Sequence, residues 1–326
     1  MPRGRRRAAA GVAVRFSIYQ ESRRGGRQVN QDRMGYLYTR RSLLMMVADG
    51  MGGHARGEVA ADMTLQTLAA IYQRDARPML ADPAAFLEQG IQAAHRELHR
   101  YRAENRLPEA PRTTLVACVV QEGIATWAHV GDSRLYVLRG GQIIHRTLDH
   151  SRVHQLVASG QIRPDEANDH PERNRILNCI GAYVLPRVEI GPRVALHPGD
   201  TVLLCSDGLW GGVTDRDVTD AFSRSTVMRA VPELMTKALS DAGPEPDNCT
   251  AIAMGWAGSE SMDMIPPTDS PVSTMVIPEG SVASTVQAPR PGEAPDDQPL
   301  TEKQIDDAVA EIQRAIQKSS KLVERR

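Results

Sequence analysis

One apolar run of the sequence ends in an aspartate that is followed at once by glycines. The run Val47-Ala48-Asp49-Gly50-Met51-Gly52-Gly53-His54 places a carboxylate directly before three glycines within four residues. Glycine allows the backbone to fold closely around an ion and to expose its carbonyl oxygens. An Asp-Gly pair after a strand is also an ordinary turn. Taken alone, the pattern therefore leaves both an ion-binding loop and a simple turn open.

Three further aspartates stand at the ends of strand-like segments. Asp207 closes the apolar run that starts at residue 201, Asp247 comes just before the apolar segment 251–254, and Asp32 precedes another strand-like segment. Acids gathered at strand ends repel one another and resist desolvation, so a fold that brings them together needs a cation there. Mg²⁺ or Mn²⁺ suits such oxygen ligands better than Zn²⁺, because no His/Cys cluster with zinc spacing is present.

These segments resemble the motifs of a known family, the metal-dependent protein phosphatases (PPM, or type 2C serine/threonine phosphatases), in their bacterial form. The resemblance covers residues 17–256. Six motifs occur in the order that the family has, at residues 27–32, 49–54, 113–115, 131–136, 206–209 and 247–250. Because any one of these motifs is weak and six in order are very unlikely by chance, the chain is identified as a member of this family.

The resemblance implies a binuclear metal centre built around one carboxylate. Asp49 would bridge two metal ions, and the main-chain carbonyl of Gly50 would bind one of them. Asp207 and Asp247 would complete the set of direct ligands. All four residues are present with the chemistry that the family requires.

Three more residues receive roles from the same resemblance. Asp32 matches an acid that reaches the metals mainly through bound water. Arg27 matches the arginine that holds the substrate phosphate, for which a planar guanidinium is well suited. Asp132 matches a ligand of a weaker third metal, with Asp207 shared between the sites.

The chain departs from the wider family pattern at three positions. Gln31 stands where many relatives have Glu, and Met51 stands where eukaryotic members have a histidine proposed as general acid. Gly211 replaces an acid that helps hold the third metal in some members. The first two changes are usual in bacterial members, whereas Gly211 leaves the affinity for a third metal open.

These roles together imply a serine/threonine phosphoprotein phosphatase. Two or three Mn²⁺ or Mg²⁺ ions would activate water for in-line hydrolysis of phosphoserine and phosphothreonine. The expected partners are phosphoprotein substrates and a serine/threonine kinase that the enzyme opposes. One alternative is a weakly active binding module that keeps the phosphatase fold and is recruited through a C-terminal helix. Another is hydrolysis of a nonprotein phosphomonoester.

Composition limits the other classes of function. The chain has 326 residues and a formal net charge of −1, so it has no electrostatic footprint for nucleic acid as the main partner. Its four cysteines lie mostly in apolar runs without metal or redox spacing, which predicts buried reduced thiols and a cytoplasmic protein. No stretch is long and apolar enough to predict a transmembrane segment.

Short strands and helices occur in groups along the chain. Two helices are predicted at residues 58–73 and 83–101. Strands are predicted at 12–19, 34–38, 43–48, 114–120, 125–130, 135–138, 201–205 and 249–254. Antiparallel strands with helix pairs match the fold that the resemblance implies, an α+β protein with a four-layer α-β-β-α sandwich of two antiparallel sheets flanked by helix pairs.

The chain is predicted to contain one catalytic domain with a tail at each end. Residues 1–11 are expected to be a disordered basic tail rather than a signal peptide, and 12–257 to be the catalytic domain. A linker rich in Pro, Ser and Thr is expected at 258–299. An amphipathic helix at 300–326 could dock on the domain, pair with another helix or bind a partner.

The least regular part of the predicted domain is residues 148–181. In relatives the corresponding segment forms a mobile flap beside the active site, implicated in substrate choice and third-metal binding. Each of its polar residues is expected to be an ordinary surface group, although the segment as a unit is a candidate for substrate contact. These residues are Asp149, His150, Ser151, Asp169, His170 and Arg173. His54 and His129 flank the motifs, and structural hydrogen bonding is expected of both.

Overall fold

The computed structural model describes residues 13–51, 56–163, 166–167, 170–260 and 281–286, all within the unit Met1–Gln287. The predicted tail at 1–11 and the predicted helix at 300–326 lie outside the described residues. The helices are α1 (Gly57–Asp75), α2 (Pro83–Glu104), α3 (Arg152–Ala158), α4 (Asp207–Trp210), α5 (Asp215–Arg224) and α6 (Val227–Asp241). The strands are β1 (Ala13–Arg23), β2 (Asp32–Tyr38), β3 (Ser42–Asp49), β4 (Leu115–Gln121), β5 (Ile124–Val130), β6 (Arg134–Arg139), β7 (Gln142–Arg146), β8 (Glu189–Ile190), β9 (Val194–Ala195), β10 (Thr201–Cys205), β11 (Cys249–Glu260) and β12 (Ala283–Ser284).

The strands form two antiparallel sheets. The first sheet has the order β1-β11-β10-β6-β7, and the second has the order β12-β2-β3-β4-β5-β8, with β9 also paired to β5. The strands β3 and β4 in the middle of the second sheet are apolar along almost their whole length, because both of their faces are covered. The predicted α+β sandwich of two antiparallel sheets is confirmed.

Three apolar clusters separate four layers. One cluster, which includes Leu43, Val47 and Leu204, lies between the two sheets. A second packs the outer face of the second sheet against α1 and α2, and the third packs the outer face of the first sheet against α4, α5 and α6. Burial of these faces is the main stabilising contribution of such a layered fold.

The predicted fold includes a second helix pair, but no residue range for it is predicted from the sequence, although α5 and α6 carry local signals. Thr214 accepts a hydrogen bond from the backbone of Asp217, and the Asp217 carboxylate accepts one from the backbone of Thr214, which makes a capping box. In α6, Val231, Leu234 and Ala238 are buried at helical spacing. These two helices complete the outer layer behind the first sheet.

A short segment within the predicted linker contributes a strand to the second sheet. Residues 281–286 run along the edge strand β2, where Ala283 pairs with Tyr38 and Ser284 pairs with Leu37. The close approach of residues 281–286 to β2 needs glycine at position 35, since a Cβ there would lie 2.6 Å from Val286 Cγ2. The remainder of the predicted linker beyond residue 260 lies outside the described residues.

The four cysteines are buried free thiols, as predicted, and burial raises the pKa of Cys249 to about 12. In the part of the chain that the structure describes, no helix combines the length and apolar character needed to cross a membrane.

Candidate metal centre

Two neighbouring strands of the second sheet bring the first pair of acids together. Asp32 begins β2, Asp49 ends β3, and the antiparallel register places these two residues directly opposite each other. Paired residues on adjacent strands have their side chains close together, and like charges at such positions are destabilising. The pairing of these strands therefore creates a site of concentrated negative charge at one end of the sheet.

The first sheet supplies two more acids from the same end of the sandwich. Asp207 follows β10 and starts α4, whereas Asp247 precedes β11, which pairs with β10. The charges of Asp32, Asp207, Asp132 and Asp247 all raise the pKa of Asp49. Asp49 is thus the central acid of the group, and it joins contributions from both sheets.

Ser206 and Asn248 connect the two sheets at this point. The Ser206 hydroxyl donates to Asp32 Oδ2 at 2.7 Å and accepts from the backbone N–H of Thr250 at 3.0 Å. Asn248 Oδ1 accepts from the backbone N–H of Gln31 at 2.8 Å. No role for Ser206 or Asn248 is predicted from the sequence, although each stands directly beside a predicted acid.

Asp132 lies in the turn between β5 and β6 and is buried. The indole Nε1 of Trp210 donates a hydrogen bond to the Asp132 carbonyl oxygen at 2.9 Å, which ties this turn to α4. Burial, followed by the charges of Asp207 and Asp149, raises the pKa of Asp132 well above its ordinary value. Asp132 therefore belongs electrostatically to the same group of acids.

Burial and mutual repulsion raise the pKa values of four of these acids, namely Asp32, Asp49, Asp132 and Asp207. Burial is the largest cause for Asp49, whose pKa is raised well above its ordinary value, with further contributions from Asp32, Asp207 and Asp132. Burial followed by Asp247 raises the pKa of Asp207 to about 7, and burial raises that of Asp32 to about 6. Each raised pKa means that the negative charge of the carboxylate is less stable in the folded protein, without a cation, than it is in water.

A divalent cation fits this group of side chains. Asp32 Oδ1 and Asp132 Oδ1 are buried oxygens that make no hydrogen bond to any described residue. Buried carboxylate oxygens without partners are costly, and hard oxygen ligands are those that Mg²⁺ and Mn²⁺ prefer. The donor set and the unpartnered oxygens therefore match the metals expected from the sequence.

The backbone of the loop after Asp49 is held in a narrow space. A Cβ on Gly50 would lie 2.2 Å from the carbonyl oxygen of Gly57, so no other residue fits without rearrangement. The Thr113 hydroxyl donates to the Asp49 carbonyl at 2.8 Å, and Thr114 Oγ1 accepts from the Asp49 N–H at 3.1 Å. The position of Asp49 is thus determined by its backbone contacts as well as by the sheet.

Arg27 lies at the exposed side of the acid group. Its guanidinium Nη2 is 2.8 Å from Asp247 Oδ2, and both side chains are partly exposed. The charge of Arg27 also lowers the pKa of Asp207, which opposes the effect of burial. A cationic group that is close to the acids and reachable from solvent is in the right position to meet an incoming anion.

The three departures from the family pattern also have clear positions. Gln31 Nε2 donates to Glu58 Oε2 at 3.2 Å, which links the acid group to α1. The backbone N–H of Gly211 donates to the Asp207 carbonyl at 2.8 Å, and this residue has no side chain to offer a metal. Met51 has its backbone N–H bonded to the carbonyl of Arg112 at 3.0 Å.

Within the described residues of the segment 148–181, α3 is the one α-helix and the rest of the backbone is irregular. Asp149 accepts two hydrogen bonds from Arg134, at 2.8 and 2.7 Å, so its role is structural. His129 Nε2 donates to the Leu148 carbonyl at 2.8 Å, which is the structural bond expected for this histidine. His54 and Asp169 lie outside the described residues.

Comparison with known proteins agrees with this geometry. The family model described as protein phosphatase 2C matches residues 19–242. The serine/threonine phosphatase Stp of Listeria innocua is 33% identical over 230 residues, which are 69% of this chain and 90% of the relative.

Solved structures give the same result. The serine/threonine phosphatase Stp1 from Staphylococcus aureus is 30% identical, with a TM-score of 0.69 over 79% of this chain and 100% of that chain. The catalytic domain of the phosphatase PstP, in complex with 2 manganese ions, is 31% identical, with a TM-score of 0.63 over 74% of this chain and 99% of that chain.

The fold, the acid group and these similarities define a metal-binding hydrolase. The chain belongs to the protein phosphatase 2C family, and it is a protein serine/threonine phosphatase. The family and the enzyme class predicted from the sequence are confirmed.

Proposed function

We propose that this phosphatase uses a binuclear Mn²⁺ or Mg²⁺ centre held by Asp49, the Gly50 carbonyl, Asp207 and Asp247. Asp32 would help to hold this centre through a bound water, and Asp132 would hold a weaker third ion. When bound, the ions supply the charge and the lowered water pKa that hydrolysis of a phosphate ester needs at neutral pH. The observation that carries the proposal is the convergence of five buried or partly buried aspartates, two of which have unpartnered oxygens.

The protein's own residues position the reactants. Ser206 and Thr250 hold the Asp32 carboxylate through one hydrogen-bonded chain, so its second oxygen keeps a fixed direction. Arg27 exchanges its contact with Asp247 for the phosphate of the substrate, since a guanidinium forms two parallel hydrogen bonds to phosphate oxygens. Because the transition state of a phosphate monoester is loose, such positioning and charge neutralisation contribute most of the rate enhancement.

The expected substrates are phosphoserine and phosphothreonine in proteins, and the enzyme would oppose a serine/threonine kinase. The relatives named as serine/threonine phosphatases support the substrate class. Buried free cysteines support a reducing compartment such as the cytoplasm. A weakly active binding module is disfavoured because the full set of predicted acids is present.

The direct test is release of phosphate from a phosphothreonine peptide by the purified full-length protein. Activity is expected with Mn²⁺ or Mg²⁺ and is expected to disappear in excess chelator, then to return when metal is added. A small aryl phosphate measured in parallel separates protein phosphatase activity from general phosphomonoester hydrolysis. Metal binding without phosphate release would favour the binding-module alternative.

Replacing Arg27 with Ala is expected to raise the KM for the phosphopeptide about tenfold or more, with a smaller change in kcat. Loss of one charged hydrogen-bonding partner of a phosphate costs on the order of 1.5–3 kcal/mol. The measurement is steady-state kinetics in saturating Mn²⁺, with Arg216→Ala on the exposed face of α5 as control. An unchanged KM in the Arg27 variant would remove this residue from the phosphate site.

A further inference from the structure

We infer that His150 is a positioning residue, which holds Asp132 in place and joins it to both ends of the segment 148–181. This inference rests on the proposed function, because it concerns the ion bound by Asp132. It assigns His150 no direct contact with substrate or metal. The role follows from the hydrogen bonds that surround the residue.

His150 binds both main-chain groups of the residue that precedes Asp132. The N–H of Gly131 donates to His150 Nδ1 at 3.1 Å, and the backbone N–H of His150 donates to the Gly131 carbonyl at 2.9 Å. With both of its polar groups held, the Gly131 peptide has little freedom to rotate. The direction of the next side chain, that of Asp132, depends on this peptide.

His150 also binds the far end of the segment. The backbone N–H of Leu177 donates to the His150 carbonyl at 2.8 Å, and Asn178 Nδ2 lies 2.8 Å from His150 Nδ1. Ile180, three residues after Leu177, exchanges backbone hydrogen bonds with Thr113 at 2.9 and 3.1 Å. Thr113 in turn forms an isolated β-bridge with Gly50. A continuous set of contacts thus runs from the Asp132 turn through the segment to the loop after Asp49.

The hydrogen bonds determine which ring nitrogen of His150 carries the proton. The amide of Asn178 is oriented by Arg187, because its Nδ2 donates to the Arg187 carbonyl at 2.8 Å and its Oδ1 accepts from the Arg187 N–H at 3.1 Å. The second hydrogen of Nδ2 therefore points to His150 Nδ1, which also accepts from Gly131. Nδ1 is an acceptor only, and the proton lies on Nε2, 3.3 Å from Glu189 Oε2.

This tautomer distinguishes a positioning role from metal ligation. His129, His150 and Glu189 form a group whose candidate ligand atoms lie within 4.8 Å of one another. A histidine binds a metal through a ring nitrogen that carries no proton. In this arrangement His150 Nε2 carries the proton, and Nδ1 cannot take it over without losing the hydrogen bond from Gly131. The rings of His129 and His150 instead stack, with centroids 4.6 Å apart.

The test compares two substitutions that keep different parts of the imidazole. In His150→Asn, Oδ1 takes the place of Nδ1 and can still accept from Gly131. In His150→Gln, the amide reaches the place of Nε2 and the acceptor near Gly131 is lost. The exposed His197 gives a matched control, His197→Gln. Each full-length protein is titrated with Mn²⁺ by calorimetry, and thermal unfolding in chelator checks the fold.

For the wild type we expect tight Mn²⁺ binding and one weaker site. His150→Gln is expected to weaken that weaker site about tenfold, since loss of a group that orients a ligand typically costs 10–100-fold in metal affinity. The tight sites are expected to stay within about twofold of wild type. His150→Asn is expected to keep the affinity of the weaker site close to that of the wild type, and both variants are expected to unfold near the wild-type temperature.

Several results would overturn the inference while leaving the proposed phosphatase activity of the binuclear centre intact. They are a wild type that binds no weaker ion, a Gln variant with normal affinity, or equal losses in the Asn and Gln variants. Failure of the proposed function has a different signature, since it would appear as wild-type protein that releases no phosphate in Mn²⁺ whatever the state of the weaker site.

Discussion

Asn in place of Asp49 is expected to lower kcat for a phosphothreonine peptide by about 1,000-fold or more, equivalent to about 4 kcal/mol of transition-state stabilisation. Asp49 is the central acid, because it pairs with Asp32 across the strands and its pKa is raised by the charges of Asp32 and Asp207. Asn has nearly the same shape but no negative charge, so it would lose the proposed attraction to two cations. Its backbone contacts with Thr113 and Thr114 do not involve the carboxylate, and the fold is expected to remain intact.

The measurement is single-turnover and steady-state phosphate release in saturating Mn²⁺, together with calorimetric counting of bound ions. Asp220→Asn on the surface of α5 is the control for loss of one carboxylate elsewhere. We expect the Asp49 variant to bind fewer ions, and the control to match the wild type. A near-normal kcat in the Asp49 variant would contradict the binuclear centre.

Without metal, the wild-type protein is expected to lose stability as the pH rises from about 4 to 8. The pKa of Asp207 is raised from 3.8 to about 7 and that of Asp32 from 3.8 to about 6 in the folded protein. The folded state therefore binds more protons than the unfolded state in this range, and the free energy of unfolding falls with pH. The stability that these two acids contribute relative to high pH is fully present below their unfolded pKa of 3.8. It is lost as the pH rises through their folded pKa values of about 6 and about 7.

Asp207→Asn is expected to be more stable than wild type at pH 8 in chelator by a few kcal/mol, because each unit of pKa elevation corresponds to about 1.4 kcal/mol. In saturating Mn²⁺ the order is expected to reverse, since the wild type gains the binding free energy of its ions. Chemical denaturation at pH 5 and pH 8, with chelator or Mn²⁺, measures both effects. Equal stability of wild type and variant in chelator at pH 8 would show that the acids do not repel one another as inferred.

The class of fold was accessible from the sequence because its strongest patterns are local. Continuous apolar segments predict strands that are covered on both faces, and β3 and β4 are such strands. The positions of α5 and α6 are not predicted, because the signal at the start of α5 is short and consists of polar capping residues, Thr214 and Asp217. The pairing of residues 281–286 with β2 could not be predicted, since it joins positions about 250 residues apart and depends on space beside Gly35.

The sequence predicts the acids of the candidate site but not the residues that hold them. Asp32, Asp49 and Asp207 each stand at a strand end, and the strands of an antiparallel sandwich bring such ends together. The residues that hold these acids, Ser206 and Asn248, carry no pattern of their own. Their hydrogen bonds cross between the two sheets, and no spacing in a single segment encodes a contact of that kind.

The layered fold follows from short-range apolar patterns in the sequence, and the phosphatase family and the central place of Asp49 follow from the resemblance of its motifs. The contact of Arg27 with Asp247, and the hydrogen bonds by which a histidine in the irregular segment holds the turn before Asp132, are seen only in the folded protein. The physical reason is that repulsion, burial and hydrogen bonding depend on distances between residues far apart in sequence, and these distances exist only once both sheets are packed.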